Sequence, residues 1–361
     1  MTIPDRLLMG PGPSNPYPEV VAAFSQPLLG HLDPEFLRIL DETCDRLRTV
    51  FKTQNPLTLP ISGTGSAGME ACFVNLVEPG DTVIVGVNGV FGERMCEVAR
   101  RAGAAVVRVE AEWGRAIDPQ RLIDAHAAAP HARVVAVVHA ETSTGACSDV
   151  AALGAGKGDA LLLVDCVTSL GGIPVEIDGW GVDVAYAGTQ KCLGVPPGLA
   201  PLTIGERAWE RRVVRPRSWY LDLGMIGEYT GSARKYHHTA PVGMIASLHA
   251  GLGVILEEGT LAVQARHEEC GRAVQGGLEA MGLELFAAAG SRLPELTTVR
   301  VPDGVDSAVV RKTLLERYSL EIGGGVGQYA ATVWRIGCMG HTARWRNVTL
   351  VLAALQEILG R

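Results

Sequence analysis

The chain has 361 residues, enough for about two domains and a substantial core. Its 32 basic and 39 acidic side chains leave a net charge of -7, which excludes an electrostatic footprint for nucleic acid or an anionic membrane and points to small-molecule chemistry. Eight cysteines are scattered with no C-x-x-C pair, the start MTIPDRLLMGPGP has no basic region leading into an apolar core, and no apolar run approaches the roughly 20 residues that span a bilayer, so a cytoplasmic protein with reduced thiols is expected.

In chain order, GPGPSNPYP at 10–18 has too many prolines for a regular helix or inner strand and predicts an extended arm. Phe36, Leu37, Leu40, Leu47 and Val50 recur at helical spacing, predicting a surface helix from Glu35 to Phe51. A short apolar run, TLPIS, then meets a glycine-rich turn and a helix carrying Met69, Phe73 and Leu76. Gly63, Gly65 and Gly68 fit G-x-G-x-x-G, so a dinucleotide enzyme has to be weighed. The turn lies deep in the chain, after a proline-broken strand, and no strand-end acid follows at about 20 residues, so a single phosphate on the helix N-terminus is the better reading.

Alternating strands and helices follow: TVIVGV, GERMCEVARRAG, AAVVRVE, a helix opened by Asp118 and Pro119, ARVVAVVHA, a short helix at 150–156, ALLLVD, VDVAYAG and LAPLTI. The pattern predicts a largely parallel sheet covered on both faces. The segment from 206 to 242 mixes aromatic and basic residues, but Glu206, Glu210, Asp222 and Glu228 dilute its arginines, which favours a surface or subunit interface over nucleic acid. One long amphipathic helical stretch is predicted from Pro241 to Met281. After it come ELFA, TTVRV, a helix at 309–318, LEIGGG, TVWRIG and a closing helix to Leu359, which together suggest a separate α+β domain.

Two apolar runs end in a single charged residue, Asp165 after LLLV and Lys191 after VDVAYAGTQ. Both fall where open α/β sheets bind ligands. A lysine removed from water and set beside another cation can form a Schiff base, whereas a lone strand-end lysine normally faces solvent. Asp165 gives Lys191 a context, since a buried carboxylate needs a partner and a pyridinium N–H would provide one. The pair suits a pyridoxal phosphate site, with Lys191 also moving the substrate α-proton. Arg335, inside the apolar strand VWRIG, is either a bidentate clamp for a substrate carboxylate or half of a structural ion pair. Phe91 in NGVFG would stack on a planar ring or simply fill core. Cys192 and Cys338 read as packing thiols, and His237 and His238 lack further ligands at metal spacing, so no metal is expected.

Seven segments, GPGPSN at 10–15, NPLTLPISGTGS at 55–66, ETSTG at 141–145, LLVDCVTSLGG at 162–172, GTQKCLGVPPG at 188–198, KYHHTAPV at 235–242 and RIGCMG at 335–340, together resemble the class V aminotransferases, nearest the alanine-glyoxylate and serine-pyruvate group. The resemblance implies an α/β fold-type I pyridoxal 5'-phosphate transferase. Its expected parts are an arm at 1–20, a large domain with a mostly parallel sheet at 21–258 and a smaller C-terminal α+β domain at 259–361. It implies Lys191 as the coenzyme-bearing lysine, Asp165 on the ring nitrogen, and Phe91, where relatives usually carry tryptophan, against the ring. Gly65, Ser66 and Gln190 would contact the phosphate, with Thr142 and Val167 beside the ring. Tyr236 and Thr239 would reach the phosphate of the other subunit of a homodimer, and Arg335 would hold the substrate carboxylate under the Pro11–Gly12 arm. Transfer from alanine or serine to glyoxylate or pyruvate is the implied reaction. The alternatives are ureidoglycine-glyoxylate, hydroxykynurenine or pyridoxamine-pyruvate transamination, or a non-catalytic coenzyme-binding protein. A desulfurase is disfavoured, because no cysteine lies in a loop ahead of Arg335.

Overall fold

The computed structural model describes residues 3–361, so the first two residues of the expected arm lie outside the described residues. A seven-stranded sheet organises the larger part. From one edge to the other its strands are Leu57–Ser62, Leu199–Ile204, Val184–Tyr186, Leu161–Asp165, Val134–Val138, Thr82–Val87 and Ala105–Glu110. The pairings from Val184–Tyr186 to Ala105–Glu110 are all parallel, and Leu199–Ile204 runs antiparallel to both its neighbours. The central strands are Val- and Leu-rich without alternation because helices cover both faces; every residue of Val134–Val138 and Leu161–Asp165 is buried. Truncating Leu163 to alanine there would cost about 2–5 kcal/mol.

The covering helices start where side chains satisfy their free amides. Asp118 accepts from Gln120 N–H at 2.9 Å ahead of Pro119–Ala128, and Asp33 accepts from Glu35 N–H at 2.8 Å ahead of Pro34–Phe51. The second of these buries Phe36, Leu40, Leu47 and Val50 on one face, as the spacing predicts.

A second hydrophobic cluster, including Val274, Leu278, Leu314, Trp334, Val351 and Leu355, sits around a three-stranded antiparallel sheet of Leu296–Arg300, Val333–Gly337 and Gly323–Gly324. The arm is tied to this part. Leu7–Leu8 pairs in parallel with Leu320–Glu321, and Met9 is buried in the same cluster. From Pro18 the chain turns into a short helix ending at Phe24, so the extended arm is shorter than residues 1–20.

Two further expectations need correction. The stretch from Pro241 to Met281 is two helices, Val242–Glu258 and Thr260–Ala280, bent by 86°. Gly259 makes the break at φ 89°, a conformation that costs glycine little, while the apolar periodicity continues on both sides and masks it. Across the bend, Arg266 pairs with Glu258 at 2.6 Å and donates to the carbonyls of Gly340 and Ala343. The ELFA run is no strand, since Leu285 makes only an isolated bridge to Val299. Among the described residues, no single helix is long and apolar enough to cross a membrane.

Candidate active site

Asp165 closes the strand Leu161–Asp165, in register with Val138 on one side and Tyr186 on the other, so three parallel strands end together at the crevice. Its side chain is almost wholly buried. Oδ1 accepts the Val167 N–H at 2.8 Å and Oδ2 accepts the Tyr186 hydroxyl at 2.7 Å. Burial pushes the carboxyl up to about 6; the bonds from Tyr186 and Val167 and the charges of Lys191 and Arg94 act against that rise. Near neutrality Asp165 is therefore mainly an anion with acceptor capacity left over.

Lys191 follows the neighbouring strand through the turn at 187–190 and is buried. Burial first, and then the Arg335 charge, bring its amine down to about 8, while Cys192, Asp165 and Glu141 hold it up. A fraction of the amine is thus neutral near pH 7, as a nucleophile or base requires. The Nζ donates to the Pro11 carbonyl, and Gly12, at φ 104°, lies so close that a Cβ there would stand 2.6 Å from the lysine Cδ. Ser14 anchors this part of the arm, its hydroxyl donating to the Lys191 carbonyl at 2.8 Å and its N–H to that of Gln190 at 2.9 Å.

Arg335 reaches the same place from the small sheet. Its Nε donates to Gly324 O at 2.7 Å and its Nη1 to Thr142 O at 3.3 Å, and no carboxylate pairs with it among the described residues. The ion-pair alternative therefore finds no partner. Burial lowers its pKa from the ordinary value, opposed by the Glu141 charge. A half-buried guanidinium held only by backbone carbonyls is suited to an incoming carboxylate.

The residues expected at a phosphate end stand as follows. Thr64 precedes the helix Gly65–Leu76 without capping it through its side chain, which leaves the N-terminus to an anion. Gly65 packs on Val167, where a Cβ would come within 2.6 Å of Cγ2, so the phosphate turn and the Asp165 turn touch. Ser66 Oγ accepts from Arg94 Nη1 at 3.2 Å, and the Arg94 guanidinium lies 4.9 Å from the Phe91 ring centroid. The Gln190 side-chain oxygen is buried with no partner; turned over, the amide presents an N–H donor instead. An orphaned amide, an uncapped helix N-terminus, a buried strand-end carboxylate and a low-pKa lysine between them fit a phosphorylated pyridine ring.

Tyr236 and Thr239 are not brought to Lys191. Both are exposed, with their hydroxyls 3.2 Å apart, and Tyr236 leans on His31 at 5.2 Å. Cys192 and Cys338 are buried, and burial pushes both thiols far above their ordinary range, so neither offers a thiolate. A cleft of about 930 Å³ between Pro34–Phe51 and Leu223–Thr230, lined by Asp41, Arg48, Trp209 and Glu228, includes none of the residues expected at the site.

Three residues at the site are absent from the sequence expectations. Tyr186 is hidden as one more apolar position in VDVAYAG, and only the strand register places it beside Asp165. Arg94 reads as a surface helix charge. Glu141 carried a signal, as an acid directly after the apolar run ARVVAVVHA.

The family model for "Aminotransferase class-V" matches residues 15–344. An alanine-glyoxylate aminotransferase of Drosophila melanogaster is 41% identical over 99% of this chain and 93% of its own length. Among solved structures, the alanine-glyoxylate aminotransferase of Nostoc sp. superimposes with a TM-score of 0.95 at 45% identity, covering 99% of this chain and 96% of the other. The ureidoglycine-glyoxylate aminotransferase of Bacillus subtilis does so with a TM-score of 0.97 at 40% identity, covering 100% and 94%.

Proposed function

The chain belongs to the class-V aminotransferases, pyridoxal-phosphate-dependent enzymes of fold type I, and from that premise we propose that it moves the amino group of alanine or serine to glyoxylate or pyruvate. The observation that carries the reading is the convergence of Lys191, Asp165 and Arg335 on one crevice under the Pro11–Gly12 arm. Pyridoxal phosphate, when bound, supplies the electron-poor ring that draws off the electrons left when the α-proton is removed.

The chain's residues divide the remaining work. Asp165, already given two donors, would accept a third hydrogen bond from a ring N–H and favour positive charge there. The uncapped N-terminus at Gly65 and Ser66, with Gln190, would receive the phosphate. Phe91, Thr142 and Val167 would flank the ring. Lys191 would hold the coenzyme through Nζ, and the same amine, when free, would take the substrate α-proton and hand it back two atoms away, across the amino nitrogen. Arg335 turns the free face of its guanidinium to the substrate carboxylate and so fixes which bond at the α-carbon faces Lys191. The arm shuts water out from above.

We further propose a homodimer in which Tyr236 and Thr239 serve the partner's phosphate. The exposed side chains of Trp219, Tyr220 and Tyr236, with those of Val21, Phe24, Leu28 and Leu32, offer apolar surface for such a contact. All eight cysteines are free and seven are buried, which supports a cytoplasmic location. The division into large and small parts near residue 258 is supported by the two main core clusters and the bend at Gly259.

A ureidoglycine donor is the second reading, favoured by the TM-score of 0.97 to the Bacillus subtilis enzyme. A screen of amino donors against glyoxylate and pyruvate tests the choice. Turnover of alanine or serine is expected, and turnover of ureidoglycine alone would replace the first reading by the second.

A further inference from the structure

Glu141 is completely buried, yet its carboxylate is surrounded by donors. Oε2 accepts the N–H groups of Phe91 at 3.1 Å and Gly92 at 3.3 Å, and Oε1 accepts the N–H of Ser143 at 3.0 Å and its hydroxyl at 2.5 Å. The remaining amide of that first turn, Val90 N–H, donates to Ser143 Oγ at 2.9 Å. The helix Val90–Ala102 has a glycine at its N-cap, so it has no capping side chain of its own and takes its cap from this distant turn. The fit is tight, since a Cβ on Gly89 would lie 2.5 Å from the Glu141 Cδ and 2.3 Å from Ser143 Oγ. Burial, with the Asp165 charge, raises the carboxyl above its ordinary value, while the bonds from Ser143 and Gly92 lower it; four donors facing two oxygens favour the anion.

The two residues that flank Thr142 are thereby pinned, and Thr142 O is an acceptor for Arg335. One buried anion therefore joins the helix that presents Phe91, the turn that presents Thr142, and through it the guanidinium of Arg335. Its charge is felt by Lys191 and by Arg335, in each case favouring the cation. A cap with a merely structural task needs no such placement beneath two functional cations.

We infer that Glu141 is a positioning residue of the transamination site: its carboxylate locks the Phe91 helix onto the Thr142–Ser143 turn and supplies the fixed negative charge that Lys191 and Arg335 face. The inference rests on the reading of Lys191 and Phe91 as coenzyme residues.

Glu141→Gln keeps the shape but turns one accepting oxygen into a donor that meets N–H groups, and it removes the charge. In the purified holoenzyme three quantities are measured: the coenzyme dissociation constant, the visible circular dichroism of bound coenzyme, and the pH midpoint of its visible band. The expected result is about tenfold weaker binding, reduced dichroism and a midpoint lowered by roughly half a unit or more, because a cation at the Lys191 nitrogen loses a stabilising charge. Glu141→Asp, which keeps the charge on a shorter stem, restores the midpoint but not the dichroism. Wild-type dichroism and midpoint in Glu141→Gln, even with a lower melting temperature, overturn the inference. Should that variant fail to fold, Ser143→Ala, which removes only the bridging hydroxyl, must still reduce the dichroism; wild-type dichroism there is equally fatal. Lys191→Ala, run in parallel, separates the two layers. A visible band that survives it refutes the coenzyme assignment itself, whereas its loss beside an unchanged Glu141→Gln refutes only the role of Glu141.

Discussion

Tyr186 donates its hydroxyl to Oδ2 of Asp165 at 2.7 Å, and the two residues stand directly opposite each other on adjacent parallel strands. A phenol that no solvent reaches is committed to the carboxylate proposed to hold the coenzyme's ring nitrogen.

Removing that bond exposes its contribution. In Tyr186→Phe, Asp165 loses the largest of the influences that oppose burial, so its carboxyl rises further above 6. A hydrogen bond to a charged group is worth about 1.5–3 kcal/mol, equivalent to roughly one to two pH units. The acid limb of the kcat profile should move to higher pH by up to that amount; an unmoved limb would mean that Asp165 does not titrate in it.

Arg335→Lys keeps the charge and loses the planar fork that Gly324 and Thr142 orient. KM for both amino donor and oxo-acid acceptor should rise on the order of 10- to 100-fold with kcat much less affected. Steady-state kinetics on both half-reactions check it, and a fall in kcat alone would move Arg335 out of substrate binding.

Gly12→Ala places a methyl against the Lys191 side chain at a φ that L residues rarely adopt. The arm should lift, with a loss of about 1–3 kcal/mol and faster proteolytic cleavage before Ser14. Unchanged cleavage would show that the arm is not seated through this contact.

Glu295 lies wholly buried with neither oxygen partnered, and burial pushes its carboxyl up to about 8 from an ordinary 4.5. The folded chain therefore holds this proton across a range in which the unfolded chain has released it. The stability it contributes is complete below about pH 4.5 and is lost as pH rises through 8, with a slope of at most about 1.4 kcal/mol per pH unit. Denaturant titrations from pH 5 to 8.5 should show this decline and should show it flattened in Glu295→Gln; parallel curves would assign the decline elsewhere.

Much of this site was legible in the chain because chemistry interrupts apolar pattern. A charged residue closing LLLV, or placed within VWRIG, has no cheap place in a core and so announces a partner. The glycine turn at 63–68 and the rigid arm are visible for the same reason, since their backbone cannot do anything ordinary. What stayed hidden follows the pattern instead of breaking it. Tyr186 counts as one more apolar strand residue until the register shows it beside Asp165. Arg94 is spaced as a solvent-facing helix charge and becomes notable only against Ser66 and Phe91. The bend at Gly259 is silent because both helices bury apolar faces with the same period, and nothing local says that the second has changed direction.

The central claim is that Lys191 carries the coenzyme and moves the proton. Its most direct test is Lys191→Ala, reconstituted with pyridoxal phosphate and followed by visible absorbance and by alanine-glyoxylate turnover. The account predicts loss of the lysine-dependent visible band and nearly all turnover, in a protein that still folds. A variant that keeps the wild-type band and rate would contradict it.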